Sequence, residues 1–116
     1  MAQGLAAEPQ TQEIVLVARK KVLLRLLAPM ALSTLGLTVP EDGAQQLSDR
    51  VRRLWGLTGK AEMMAWLDHA GLSPAEFSRL MTEWAACTLL EQHFAVEIDR
   101  LLPGQLALQS MRDARR

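Results

Sequence analysis

The stretch Ser73-Pro74-Ala75-Glu76 marks a helix start more firmly than any other in the chain. A serine hydroxyl there accepts from an orphan amide, a proline at the first helical position has no N–H to leave unsatisfied, and a glutamate three residues after the serine reaches back to its amide. Beyond this box the apolar pattern runs without interruption to Leu102, where Pro103-Gly104 supplies a stop. A fourth helix of about 28 residues and about 42 Å is therefore expected. A compact domain of this length has a radius of gyration of about 13 Å, so such a helix must bend, overhang or be covered by another chain.

Proline and glycine punctuate the rest in the same way. A first helix is expected from Thr11, kinked or restarted at Pro29 because proline removes a donor and disfavours the α conformation at Ala28, and ending at Leu35-Gly36. Thr38-Val39-Pro40-Glu41 reads as the capped start of a second helix that runs to Trp55 and stops at Gly56. Thr58 caps a short third helix carrying Met63, Met64, Trp66 and Leu67, closed by Gly71. The expected fold is all-α, a small bundle of four to five helices with a long fourth one. Residues 1–10 read as a flexible lead-in, 11–103 as a single helical domain and 104–116 as a tail.

The composition agrees with that class: 49% of the 116 residues are apolar, tyrosine is absent, and leucine and alanine are abundant, which favours helix over strand. One cysteine, Cys87, allows no intramolecular disulfide and no thiolate cluster, which points to a reducing, cytoplasmic setting. The apolar run Ile14 to Val17 is followed by Arg19, Lys20, Lys21 and Arg25, which suits neither a signal peptide nor a membrane span. The net charge is zero, with +3 on residues 1–60 and −3 on residues 61–116. That balance, and the lack of aromatic residues among the basic clusters Arg19/Lys20/Lys21/Arg25, Arg50/Arg52/Arg53 and Arg112/Arg115/Arg116, argue against nucleic acid as a partner. The second cluster instead offsets the dipole at a helix C-terminus.

Chemistry-bearing residues are few. Phe77, Leu80, Trp84, Cys87, Glu91, Phe94, Ile98 and Leu101 recur at alternating steps of three and four, so Trp84 is expected at the centre of the core and Glu91 interrupts an apolar seam. Glu91 reads as a partner for a base on the first helix, or as the point where the seam meets water, before it reads as a catalytic acid. His69 and His93 lie on different helices without metal-ligand spacing, His69 being placed to cap a helix C-terminus. Cys87 within the seam is expected to be inert. No catalytic, cofactor-binding or metal-binding residues are assigned, and no cofactor is expected.

The surplus is apolar. On the first helix Val15, Val22, Leu26 and Met30 share a face with Leu16, Leu23 and Leu27, while Val17 and Leu24 point elsewhere, which is more circumference than one buried stripe needs. Trp55, Met63, Met64 and Trp66 gather near one turn, as adaptable surface or as core. The candidate binding surface is accordingly Leu16, Leu23, Leu24, Leu27, Trp55, Met63, Met64, Trp66, Glu91 and Phe94.

Arg50-Val51-Arg52-Arg53-Leu54-Trp55-Gly56-Leu57-Thr58, then Ala65-Trp66-Leu67-Asp68-His69-Ala70-Gly71-Leu72-Ser73 and Glu76-Phe77, resemble the helical region of SurA-like periplasmic chaperones and parvulin-type prolyl isomerases. They also resemble the helical extension of TfuA-like accessory proteins in ribosomal peptide natural-product pathways. The resemblance covers roughly residues 50–95 and leaves out the catalytic parvulin domain and the larger TfuA-like domain, so it transfers no catalytic residue. It implies a helical module that handles a peptide or another protein. Expected, then, is a non-catalytic accessory that binds a peptide or protein, is homodimeric through its first helix, and involves neither nucleic acid nor membrane. A small subunit completing the active site of a larger enzyme near Glu91 and His93, and a structural oligomer, are the alternatives.

Overall fold

A computed structural model describes residues 9–114, with side chains for residues 14–111, and among those described residues lie five α-helices. They are α1 (Pro9–Leu35), α2 (Gly43–Leu54), α3 (Lys60–Ala70), α4 (Pro74–His93) and α5 (Ala95–Ala114), and no strand occurs among the described residues. The expected bundle and its long fourth helix are present. Of the lead-in expected at residues 1–10, residues 1–8 lie outside the described residues, and Pro9 and Gln10 already belong to α1, which starts two residues before the expected Thr11.

Three helices end by one device. Gly36, Gly56 and Gly71 adopt φ of 70°, 69° and 74°, a conformation that costs a side-chain-bearing residue about 1–2 kcal/mol. Each is followed by a leucine whose amide closes back onto the helix: Leu37 N–H donates to the Leu32 carbonyl at 2.9 Å, Leu57 to Arg52 at 2.7 Å, and Leu72 to Leu67 at 2.9 Å. The glycine amides donate to Ser33, Arg53 and Asp68, completing a Schellman motif each time. The leucine after each glycine turns inward onto the core. The repeated Gly-Leu-Thr/Ser thus stops a helix and pins the next loop in a single step.

The Ser73 box forms as its residues dictate. Ser73 N–H donates to Glu76 Oε1 at 2.9 Å and Glu76 N–H donates to Ser73 Oγ at 3.1 Å. The bond from the Ser73 amide is the main reason that the Glu76 carboxyl is held below the usual carboxylate range, with help from the Ser73 hydroxyl and Arg79. The start of α2 differs from expectation. Leu37 and Val39 pack on the core against α1 and α4, so the chain stays extended there and the helix begins after Asp42, with Gly43 N–H donating to the Pro40 carbonyl at 2.9 Å. The N-cap of α3 is likewise Gly59, not Thr58.

α4 is the spine, and it buries two different faces. Its first half joins α2 and α3 in one cluster of Val51, Leu57, Met63, Leu67, Phe77 and Met81. Its second half joins α1 in another, of Ala28, Leu32, Ala86 and Cys87. At 100° per residue Ala86 lies 180° round the helix from Phe77. The buried face therefore switches sides midway, where the sequence pattern suggests one continuous seam. Trp84 is the casualty: it continues the Phe77 face beyond the reach of α2 and α3 and is 42% exposed, not central to the core. Glu91 continues the same face and is also exposed.

The second half of the long pattern is corrected as well. α4 stops at His93, with Phe94 N–H donating to the Leu90 carbonyl at 3.1 Å and Ile98 N–H returning to Phe94 at 2.8 Å, so a one-residue break replaces the continuous helix to Leu102. Pro103-Gly104 does not end α5, which runs through both to Ala114 and makes helix of most of the expected tail. The proline forfeits one internal hydrogen bond, and the strong helix formers Gln105 to Gln109 carry the helix on. α1 similarly continues through Pro29 without a restart.

Candidate binding surface

The residues expected at the surface separate into two places. Around the turn between α2 and α3, Trp55 and Trp66 stack with ring centroids 5.4 Å apart and planes tilted by 43°, and Trp66 meets Phe77 edge-on at 5.9 Å. Phe77 is buried, Trp66 is half-buried, and Trp55 is 50% exposed, so this aromatic ladder climbs from the core to solvent. Leu54, next to its outer rung, is 75% exposed. The turn under the ladder is held by the Gly56 motif and by Arg52, whose Nε donates to the Leu57 carbonyl at 3.0 Å. Arg52 and Arg53 line a shallow open depression there with Asp49 and Thr58.

The two methionines leave this patch in opposite ways. Met63 belongs to the buried cluster, so it supports the ladder from below instead of offering surface. Met64 is exposed, but helical geometry sets it about 160° round α3 from Trp66, away from the ladder. Trp55 and Trp66 are the part of the expected aromatic-methionine cluster that the fold does assemble.

The second place is α1. Leu16, Leu23 and Leu27 are exposed, as are Val15, Val22, Leu26 and Met30. The side of α1 that packs on α4 carries Ala28 and Leu32, and these leucines and valines occupy the opposite side. Leu24 lies between the two faces and is exposed as well. Glu91 and Phe94 sit at the α4/α5 break, where the rings of His93 and Phe94 lie nearly perpendicular with centroids 4.8 Å apart.

Polar chemistry is sparse. The acid that meets a base on the first helix is Glu83, which accepts from Arg25 Nε at 2.9 Å, and not Glu91. Arg25 falls one turn before the buried Ala28 and Glu83 one turn before the buried Ala86, which is the spacing that could have revealed the pair. Burial pushes the Cys87 thiol up, and the carboxylates of Glu91 and Glu83 add to that. His69 occupies the last turn of α3, before Gly71. Among the described residues no group of three or more His, Cys, Asp or Glu side chains is placed to hold a metal ion, and no helix is long and apolar enough to cross a membrane. The structure thus defines an all-helical protein with uncovered apolar surface. No protein-family model, curated protein or solved structure matches the chain.

Proposed function

We propose that the protein is a non-catalytic helical accessory that binds a peptide or a segment of a protein partner, with the outer rungs of the aromatic ladder as the contact. The observation that carries this reading is Trp55, half-exposed and stacked on Trp66 beside the exposed Leu54. Tryptophan on a rigid support gives a large contact area at little entropic cost and is enriched at the centres of binding surfaces. Arg50 and Arg53, exposed on α2, favour a ligand whose apolar residues are interspersed with acidic ones. A reducing, cytoplasmic setting is in keeping with the single buried thiol of Cys87.

The test is titration with amphipathic peptides that carry acidic residues, followed by isothermal calorimetry and tryptophan emission. Trp55→Ala and Leu54→Ser are expected to weaken binding by tenfold or more, while Trp84→Phe leaves it unchanged. Saturable binding that survives both substitutions would place the contact elsewhere, and no binding by any such peptide would overturn the reading.

A further inference from the structure

Two helices carry apolar surface that one chain leaves in water, and the two are unlike in charge. On α1, Val15, Leu16, Val22, Leu23, Leu26, Leu27 and Met30 fall within about 140° of the circumference and all are exposed. On α5, Ile98, Leu101, Leu102 and Leu108 fall within about 120° and are equally exposed. The α1 band, Val15 to Met30, extends about 22 Å and the α5 band, Ile98 to Leu108, about 15 Å at 1.5 Å per residue. The α1 band contains Arg19 and is bordered by Lys20; the α5 band is bordered by Glu97 on one side and Asp99 on the other. None of these four charges has an ion-pair partner among the described residues.

The chain as a whole shows the same excess. Its accessible surface is 9078 Å², against about 6,300 Å² for a compact monomer of its mass. Its radius of gyration is 17.2 Å, where a compact chain would have about 13 Å. The excess, about 2,800 Å² per chain, is more than the roughly 800 Å² that each partner contributes to a standard interface.

We infer that the occupant of these bands is a second copy of the chain, with α1 of each protomer lying on α5 of the other about a two-fold axis. Apolar character and opposite charge match α1 to α5, whereas α1 on α1 would bring together two bands that both carry Arg19 and Lys20. The two-fold forms the same contact twice, so both bands are covered in both protomers. A lipid surface is disfavoured, because an interfacial helix gathers its charges on one side, while Arg19, Lys20 and Lys21 follow one another around α1 at steps of about 100°, with Arg25 about 40° beyond Lys21. The inference is independent of the peptide-binding reading, which uses a different surface.

Charge reversal in two separate chains tests it. One full-length chain carries Arg19→Glu and Lys20→Glu, the other Glu97→Lys and Asp99→Lys; all four positions are exposed, and circular dichroism checks that each chain keeps its helix content. By sedimentation equilibrium the unaltered protein is expected to be a dimer, and each altered chain to dissociate at least tenfold more readily. Mixing the two altered chains is expected to restore a dimer containing one of each, because both α1–α5 contacts regain opposite charges. A monomer for the unaltered protein at every concentration would overturn the inference, as would altered chains that remain dimeric, or altered chains that fail to associate on mixing. Monomeric protein that instead co-sediments with vesicles of phosphatidylserine and phosphatidylcholine would transfer the α1 band to a membrane surface.

Discussion

Arg25 donates from Nε to Oε1 of Glu83 at 2.9 Å, across 58 residues of chain. This ion pair ties α1 to α4 one turn before both helices bury alanines. Its side chains remain 33% and 22% exposed, so its worth is that of a partly screened pair, about 0.2–1 kcal/mol. Glu83→Gln is expected to lower the midpoint of urea denaturation by a correspondingly small amount, with the difference shrinking at high salt. A double-mutant cycle with Arg25→Gln measures the coupling, and a coupling of zero would show that the apolar contact alone sets the crossing.

The switch of faces along α4 makes opposite predictions for two aromatic residues. Phe77→Ala empties a buried site between α2, α3 and α4 and should cost about 3–5 kcal/mol. Trp84→Ala removes a larger side chain from a position left 42% exposed and should cost less than Phe77→Ala, about 1–2 kcal/mol. Chemical denaturation of the two variants side by side checks the order, and equal losses would contradict the two-faced packing.

Gly56 and Gly71 meet nothing within 4 Å where a Cβ would be. Alanine at either position therefore pays for backbone strain alone, about 1–2 kcal/mol, and asparagine should cost less because it tolerates the left-handed region better. Thermal melts of the alanine and asparagine variants test this, and an alanine variant as stable as the unaltered protein would refute it.

The three glycine stops and the Ser73 start were the most legible part of the fold, whereas the starts read at Thr38 and Thr58 and the stop read at Pro103-Gly104 were overturned. Gly36, Gly56, Gly71 and the Ser73 box each act through bonds closed within a few residues, so local sequence suffices to read them. The packing did not show in the sequence where distant partners decide it. The three-and-four spacing from Phe77 to Leu101 suits one seam equally well as two faces used in succession, and only the arrival of α1 on the far side separates Trp84 from Cys87. The break at Phe94 has neither a proline nor a glycine to announce it. The surface was legible in part: the surplus of leucine on α1 is visible from periodicity, whereas the depth of Met63 and the stacking of Trp55 on Trp66 depend on how α2 and α3 fold together.

Glu76 gives the capping box a pH dependence. Because the folded protein holds its carboxyl below the ordinary value, the stabilisation is fully present above the unfolded-state value and is lost as pH falls through the lowered one. The difference in melting temperature between the unaltered protein and Glu76→Ala should be constant near neutrality and shrink in acid. A difference that grows on acidification would reverse the assigned sign.

Cys87 is buried and its thiol is pushed up by that burial, so the folded protein should react slowly with a disulfide reagent at mildly alkaline pH. Unfolding in guanidinium should accelerate the reaction about a hundredfold or more, since access then no longer waits on local opening. Fast labelling of the folded chain would show that α1 lifts readily from α4.

The separation between Arg25 and Glu83 also bears on how the chain is made. The cluster of α2, α3 and the first half of α4 closes entirely within residues 43–81, soon after those residues leave the ribosome. α1 emerges earlier, yet the residues it docks on, Ala86 and Cys87, follow only after a delay of about 3–12 s at translation rates of 5–20 residues per second. During that interval a leucine-rich helix stands without its partner, which makes α1 the segment of the nascent chain that general chaperones are expected to hold.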